Sequence, residues 1–188
     1  MLKYLAEEGR YIEITGYKNM KVGKPERLLK TVRKDRHSDV AVQFFNADLI
    51  ASWEHLYFAV VDALMAFRTK RNISKSIEVE VMLYASAQRQ IKKAIQFIGV
   101  KTIHSDLAVV VEGERREDVE SAISSISKHF HKEPDERVLG VSPAKEKFIR
   151  EAFGITETEL AVTIKENDVE RALIDVVVER MALLSTRL

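Results

Sequence analysis

The sequence predicts an α/β fold: one domain over residues 1–188, with a central mixed sheet of about four strands flanked by helices and a helical C-terminal segment. Three observations carry this. Short apolar segments of strand character alternate with longer segments of helical spacing, the last third holds helix caps and no strand pattern, and 188 residues at 46% hydrophobic content suffice for one buried core. No internal repeat appears, and the longest candidate linker, His131 to Pro143, is too short to separate independent domains.

Taken in order, Tyr11 to Thr15 alternates like a half-buried strand, and Pro25 to Lys34 forms a helix with Leu28, Leu29 and Val32 inward. Asp39 to Phe45 is apolar enough for a better buried strand. Ser52 caps the strongest helix, in which Trp53, Leu56, Tyr57, Val60, Leu64 and Phe67 recur at helical spacing and Phe58, Val61 and Met65 widen the stripe. That helix ends at Arg68-Thr69-Lys70-Arg71-Asn72, where cations suit the dipole and Asn72 supplies a left-handed cap. Ile77, Val79, Val81 and Leu83 alternate with Glu78, Glu80, Met82 and Tyr84, which reads as a strand. Ala87 to Ile98 reads as an amphipathic helix stopped by Gly99, with Ala87, Ile91, Ala94, Ile95 and Ile98 inward and Arg89, Lys92, Lys93 and Gln96 outward. Leu107 to Val111 is a continuous apolar strand, and Val119, Ala122, Ile123, Ile126 and Phe130 mark a surface helix.

In the last third, Ser142 and Pro143 start a helix that Gly154 ends, and Thr156 to Glu159 forms a capping box. The final helix, from about Asp168 to Leu184, carries Val169, Leu173, Ile174, Val176, Val177, Val178, Met181 and Leu184 on an arc wider than half its circumference. One side serves the domain's own core. The remainder asks for a second surface, a neighbouring helix or a partner.

Composition limits the chemistry. The absence of cysteine excludes disulfides, thiolate catalysis and cysteine-held metal clusters. No apolar run is long enough to span a membrane and MLKYLAEEGR is no signal peptide, so a soluble, cytoplasmic protein is expected. A net charge of +1 argues against a global RNA-binding field, so any RNA site is a local patch. Walker loops, G-x-G-x-x-G, G-x-S-x-G and H-E-x-x-H are all missing. His129 and His131, near Glu133 and Asp135, could pair on a metal, but histidines also suit a helix C-terminus. His104-Ser105-Asp106 holds triad residue types whose side chains diverge along a strand, and Glu78/Glu80 and Glu112/Glu114 read as solvated faces. Neither a metal nor a cofactor is expected.

Two cationic patches stand out, Arg68 to Asn72 and Arg89 with Lys92 and Lys93. Each alone is ordinary helix-end or solvated-face charge. Ser86-Ala87-Gln88-Arg89-Gln90 adds a strand-to-helix junction, where free N–H groups, the positive helix end and an arginine would hold a phosphate.

The run Asn46-Ala47-Asp48-Leu49-Ile50-Ala51-Ser52-Trp53-Glu54-His55-Leu56 is followed by Ala59, Ala63 and Phe67. A second block comprises Asn72-Ile73-Ser74-Lys75-Ser76, then Glu78-Val79-Glu80-Val81-Met82-Leu83-Tyr84-Ala85-Ser86, then Arg89-Gln90-Ile91 and Ala94. Together they resemble the signatures of the small kinase-binding accessory subunit of the KEOPS tRNA-modification assembly, the TPRKB family, in its archaeal form. The resemblance is densest from Asp39 to Val100 and weak before Lys24. It implies a non-catalytic, cofactor-free protein that binds and regulates the assembly's small atypical kinase, reaches other KEOPS subunits through it, and helps recruit tRNA by its 3′ CCA end for threonylcarbamoyl-adenosine formation. Joined to the cationic patches, it assigns Arg68, Lys70, Arg71, Asn72, Ser86, Arg89, Gln90 and Lys93 to the tRNA. Joined to the wide terminal arc, it assigns Val169, Leu173, Val176, Val177, Met181 and Leu184 to the kinase. One departure is Ala87, where the family often has Gly; glycine there would let an RNA backbone approach closely. A small-molecule enzyme with an acidic or His129/His131 site, or a homodimeric scaffold, are the rival readings.

Overall fold

The computed structural model describes residues 1–22, 40–101, 105–165 and 168–184. The expected helix Pro25 to Lys34 lies outside them, as do His37 and His104. In chain order the elements are β1 (Leu2–Leu5), β2 (Arg10–Met20), β3 (Val40–Asn46), α1 (Trp53–Arg68), α2 (Ile77–Ala85), α3 (Ile91–Ile98), β4 (Ser105–Gly113), α4 (Arg116–Phe130), α5 (Pro143–Phe153), α6 (Glu157–Thr163) and α7 (Val169–Ala182). They divide into two compact units, each assembled from two chain segments: Met1–Ala47 with Gly99–Val138, and Asp48–Ile98 with Leu139–Leu188.

The first unit is a four-stranded sheet in the order β1-β2-β4-β3 with α4 on one face. The α/β class and strand number match expectation, but every pairing is antiparallel where a mixed sheet is expected. Tyr17, Val42, Phe44, Leu107, Val109 and Val111 form the sheet's side of the core and Val119, Ala122 and Ile126 the helix's side. The Tyr17 hydroxyl meets Ser127 Oγ at 2.8 Å, so its buried polar tip is satisfied. On the opposite face Glu112 is buried, and the Arg10 fork donates to its two oxygens at 2.8 and 3.0 Å. Glu112, expected as a solvated acid, is instead a bidentate structural partner. Gly16 has a steric role, since an added Cβ would lie 2.5 Å from Val138 Cβ.

Among its described residues the second unit holds helices and no strand. Local chemistry sets its boundaries where caps are strong. Ser52 accepts the His55 N–H at the start of α1, and Ser142 accepts the Lys145 N–H before Pro143 in α5. Gly154 adopts φ +63° after α5, and Thr156 with Glu159 closes a full capping box on α6.

The clearest correction is α2, expected as a strand. Ser76 precedes it in extended geometry, and Glu78 and Glu80 occupy its favourable N-terminal end. From Glu80 to Ala85 every residue is buried. A helix enclosed on nearly all sides has no polar stripe, so the helical period vanishes and β-branched alternation at Ile77, Val79 and Val81 imitates a strand. Conversely β1 leaves no strand signal in the sequence, being a short, exposed edge strand with only two half-buried residues.

Candidate functional site

All the residues expected at RNA or kinase lie in the helical unit, and two helix-ending turns organise the cationic ones. At the end of α1, Lys70 takes φ +57° while Lys70 and Arg71 donate to the carbonyls of Phe67 and Ala66. The left-handed residue is therefore Lys70 and not Asn72, whose side-chain amide donates to Ser74 O at 2.8 Å. The buried Glu80 carboxylate fastens the rest of this loop by accepting N–H groups from Ile73 at 3.0 Å and Ser74 at 2.7 Å. Arg68, Lys70 and Arg71 are left exposed around a rigid turn.

The second turn follows α2 and differs from expectation. Because α2 is a helix, Ser86 sits at a helix C-terminus, and the N–H groups of Ser86, Ala87 and Gln88 donate to Met82, Tyr84 and Leu83 carbonyls. They are not free to bind a phosphate. Ser86 is itself 1% exposed and its hydroxyl donates to Leu83 O. Ala87 has φ +50°, the left-handed position that glycine favours after a helix. A glycine at this position would relieve the backbone strain. Past this turn Arg89, Gln90 and Lys93 are exposed, with Arg89 making only a long 3.5 Å contact to Leu184 O. α3 begins at Ile91, four residues later than expected, and Ile91 and Ile95 are exposed where inward positions are expected. The inward stripe of so short a helix is only Ala94 and Ile98.

A cleft of about 150 Å³ opens beside the Ser86 turn, lined by Ser86, Ala87, Gln88, Phe97, Ala152, Phe153, Arg180 and Leu184. Phe97 and Phe153 meet edge to face at 5.1 Å in its wall. Arg180 donates through Nη2 to Gly154 O and to Glu159, and its buried Nε–H has no partner among the described residues. The sequence gives no sign of the cleft because its lining comes from segments almost a hundred residues apart.

The first turn leads through Asn72 to Ser76 into α2, and the second closes α2 about 13 Å further on, nine residues at a helical rise of about 1.5 Å. His55 fixes the second of them. Fully buried, it accepts the Ala51 N–H at Nδ1 (3.1 Å), so its proton resides on Nε2 and is donated to Ala85 O (2.8 Å), immediately before Ser86. Burial lowers its pKa to about 4; the Ala85 bond opposes this and the Lys145 charge reinforces it.

Of the terminal-helix residues expected at the kinase, Leu173, Val176, Val177, Met181 and Leu184 are buried in this unit's own core, and Val169 alone is exposed, at 39%. Helices α1, α2, α5 and α6 all pack against α7, so the wide apolar arc already has its neighbours. Among the described residues no cluster could hold a metal ion; His129 and His131 are exposed, and Asp106 accepts the Asn19 N–H. No helix of the described residues is long and apolar enough to cross a membrane.

Two outcomes follow from these turns. Ala87→Gly should raise unfolding free energy by about 0.5–1 kcal/mol in denaturant titration; a stability loss would contradict the left-handed assignment. Because folding holds His55 neutral, the unfolded chain takes up its proton first as pH falls. The His55 contribution is full above about pH 6.5 and is lost down to about pH 4, so wild type should lose about 3 kcal/mol more than His55→Gln across that window. Parallel stability curves for the two proteins would exclude a buried neutral imidazole.

Residues 19–185 match the family described as kinase binding protein CGI-121. A relative, the regulatory protein Cgi121 of Methanocaldococcus jannaschii, is 34% identical over 113 residues, covering 60% of this chain and 70% of the relative. The chain belongs to the CGI-121 kinase-binding protein family.

Proposed function

We propose that this chain is a non-catalytic, cytoplasmic adaptor of the KEOPS assembly: it binds and regulates the small atypical kinase and recruits tRNA through its 3′ CCA end, while partner subunits form threonylcarbamoyl-adenosine. The kinase half follows from the family, whose description names kinase binding, and from the relative's description as a regulatory protein. Two acids of a type suited to catalysis have structural roles, Glu112 on Arg10 and Glu80 on the Ile73 loop.

The observation that carries the RNA half is the cleft beside the Ser86 turn. An unpaired nucleotide offers phosphate, ribose and a base face together, which a duplex does not. Arg180 lines the cleft, Phe97 and Phe153 supply apolar wall, and exposed Arg89, Gln90 and Lys93 lie just beyond the turn. The exposed Arg68, Lys70 and Arg71 at the end of α1 supply further cations for the same RNA. With a net charge of +1, binding has to come from these local groups.

Affinity for intact and CCA-trimmed tRNA, measured across a salt series, tests this. Wild type should prefer the intact tail. Arg89→Glu and Lys70→Glu should each weaken binding to intact tRNA and flatten the log-affinity against log-salt slope by about 0.7 for each phosphate no longer neutralised. Equal affinity for the two RNAs, or charge reversals without effect, would rule out tail capture at this site.

A further inference from the structure

With the apolar arc of α7 buried, a kinase needs another docking surface. Phe58 and Met65 are 40% and 44% exposed, large apolar side chains seven residues apart and so on one line of the helix. Val61 lies half-buried between them. Asp62, at i+4 from Phe58 and i−3 from Met65, borders the same line. It is half-buried, and among the described residues it has neither an ion pair nor a hydrogen bond. Its neighbour along the face, Glu54, is by contrast engaged by Arg171 at 3.3 Å.

We propose that the kinase docks on this face and presents a lysine or arginine, set among apolar side chains, opposite Asp62. This rests on the kinase-binding reading above and adds to it the surface and the partner's chemistry. A carboxylate held partly out of water without a counter-charge is unfavourable in the free chain, and a cation arriving with the partner removes that penalty while apolar side chains cover Phe58 and Met65. Burial alone raises the Asp62 carboxyl above the ordinary range, the direction expected of a group lacking its partner. Continuity supports the same face: the Arg171–Glu54 pair ties it to the start of α7, where Val169 is exposed. An apolar centre holding one unmatched charge is also the composition that gives an interface both affinity and register.

The test measures binding of the purified assembly kinase from the same host to full-length wild type, Asp62→Asn, Asp62→Lys and Met65→Glu, with thermal unfolding and tRNA affinity as controls. Asp62→Asn keeps the shape and removes the charge; it should weaken kinase binding about tenfold, the effect of removing one charge-assisted hydrogen bond, without lowering the melting temperature. Asp62→Lys and Met65→Glu should weaken it further, and tRNA affinity should stay at the wild-type value in Asp62→Asn. Since Met65 is exposed, its variant keeps the test decisive if an Asp62 variant fails to fold. Wild-type kinase affinity in both Asp62→Asn and Met65→Glu overturns the docking face while leaving the kinase-binding reading intact. Failure of wild type to bind the kinase overturns both. A wild-type dimer that Met65→Glu dissociates in sedimentation would assign the face to a second copy and overturn the proposal.

Discussion

A neutral imidazole sealed inside the helical unit is the constraint on which the candidate site depends. His55 takes the Ala51 N–H on one ring nitrogen and gives its proton to Ala85 O from the other, joining the start of α1 to the end of α2. The two helices are thereby registered at the residue where α2 stops. Ser86 to Gln88 then close the helix on its own carbonyls, and Arg89 emerges at a fixed place beside the cleft. At the other end of α2 the Glu80 carboxylate does the equivalent by holding Ile73 and Ser74 N–H groups. Buried polar atoms are costly unless paired, so one histidine and one glutamate, each fully satisfied, specify two turns that apolar packing alone would leave adjustable.

Much of the fold is legible where chemistry is local. Ser52, Ser142 with Pro143, Gly154, and Thr156 with Glu159 each announce a helix boundary by a side chain or backbone preference that needs no tertiary context. The apolar run at Leu107 to Val111 is equally plain. Ile77 to Ala85 is not, because enclosure erases its period; the readable signal is Ser76 with Glu78 and Glu80 following, a helix start hidden inside an alternating pattern. The inward faces of α3 and α7 differ from expectation for opposite reasons. α3 is too short to bury Ile91 and Ile95, whereas α7 has enough neighbours to bury nearly all its apolar arc.

The site is legible only in its exposed charges. Arg68, Lys70, Arg71, Arg89 and Lys93 are all at the surface, as cations at helix ends should be. Their arrangement is hidden, since it depends on α2 being a helix. The cleft draws on α5 and α7, far along the chain, and nothing local to Phe97, Phe153 or Arg180 marks them as neighbours. Ala87 is likewise silent in the sequence, and only the structure shows its left-handed backbone at φ +50°.

The helical unit thus offers two surfaces that share no residue: the cleft by the Ser86 turn and the outward face of α1. An adaptor must use both at once. Titrating labelled tRNA into the chain alone and into the chain saturated with kinase measures this directly. The account predicts a ternary complex in which tRNA binds no more weakly than to the free chain. Displacement of tRNA by kinase, or of kinase by tRNA, would contradict it.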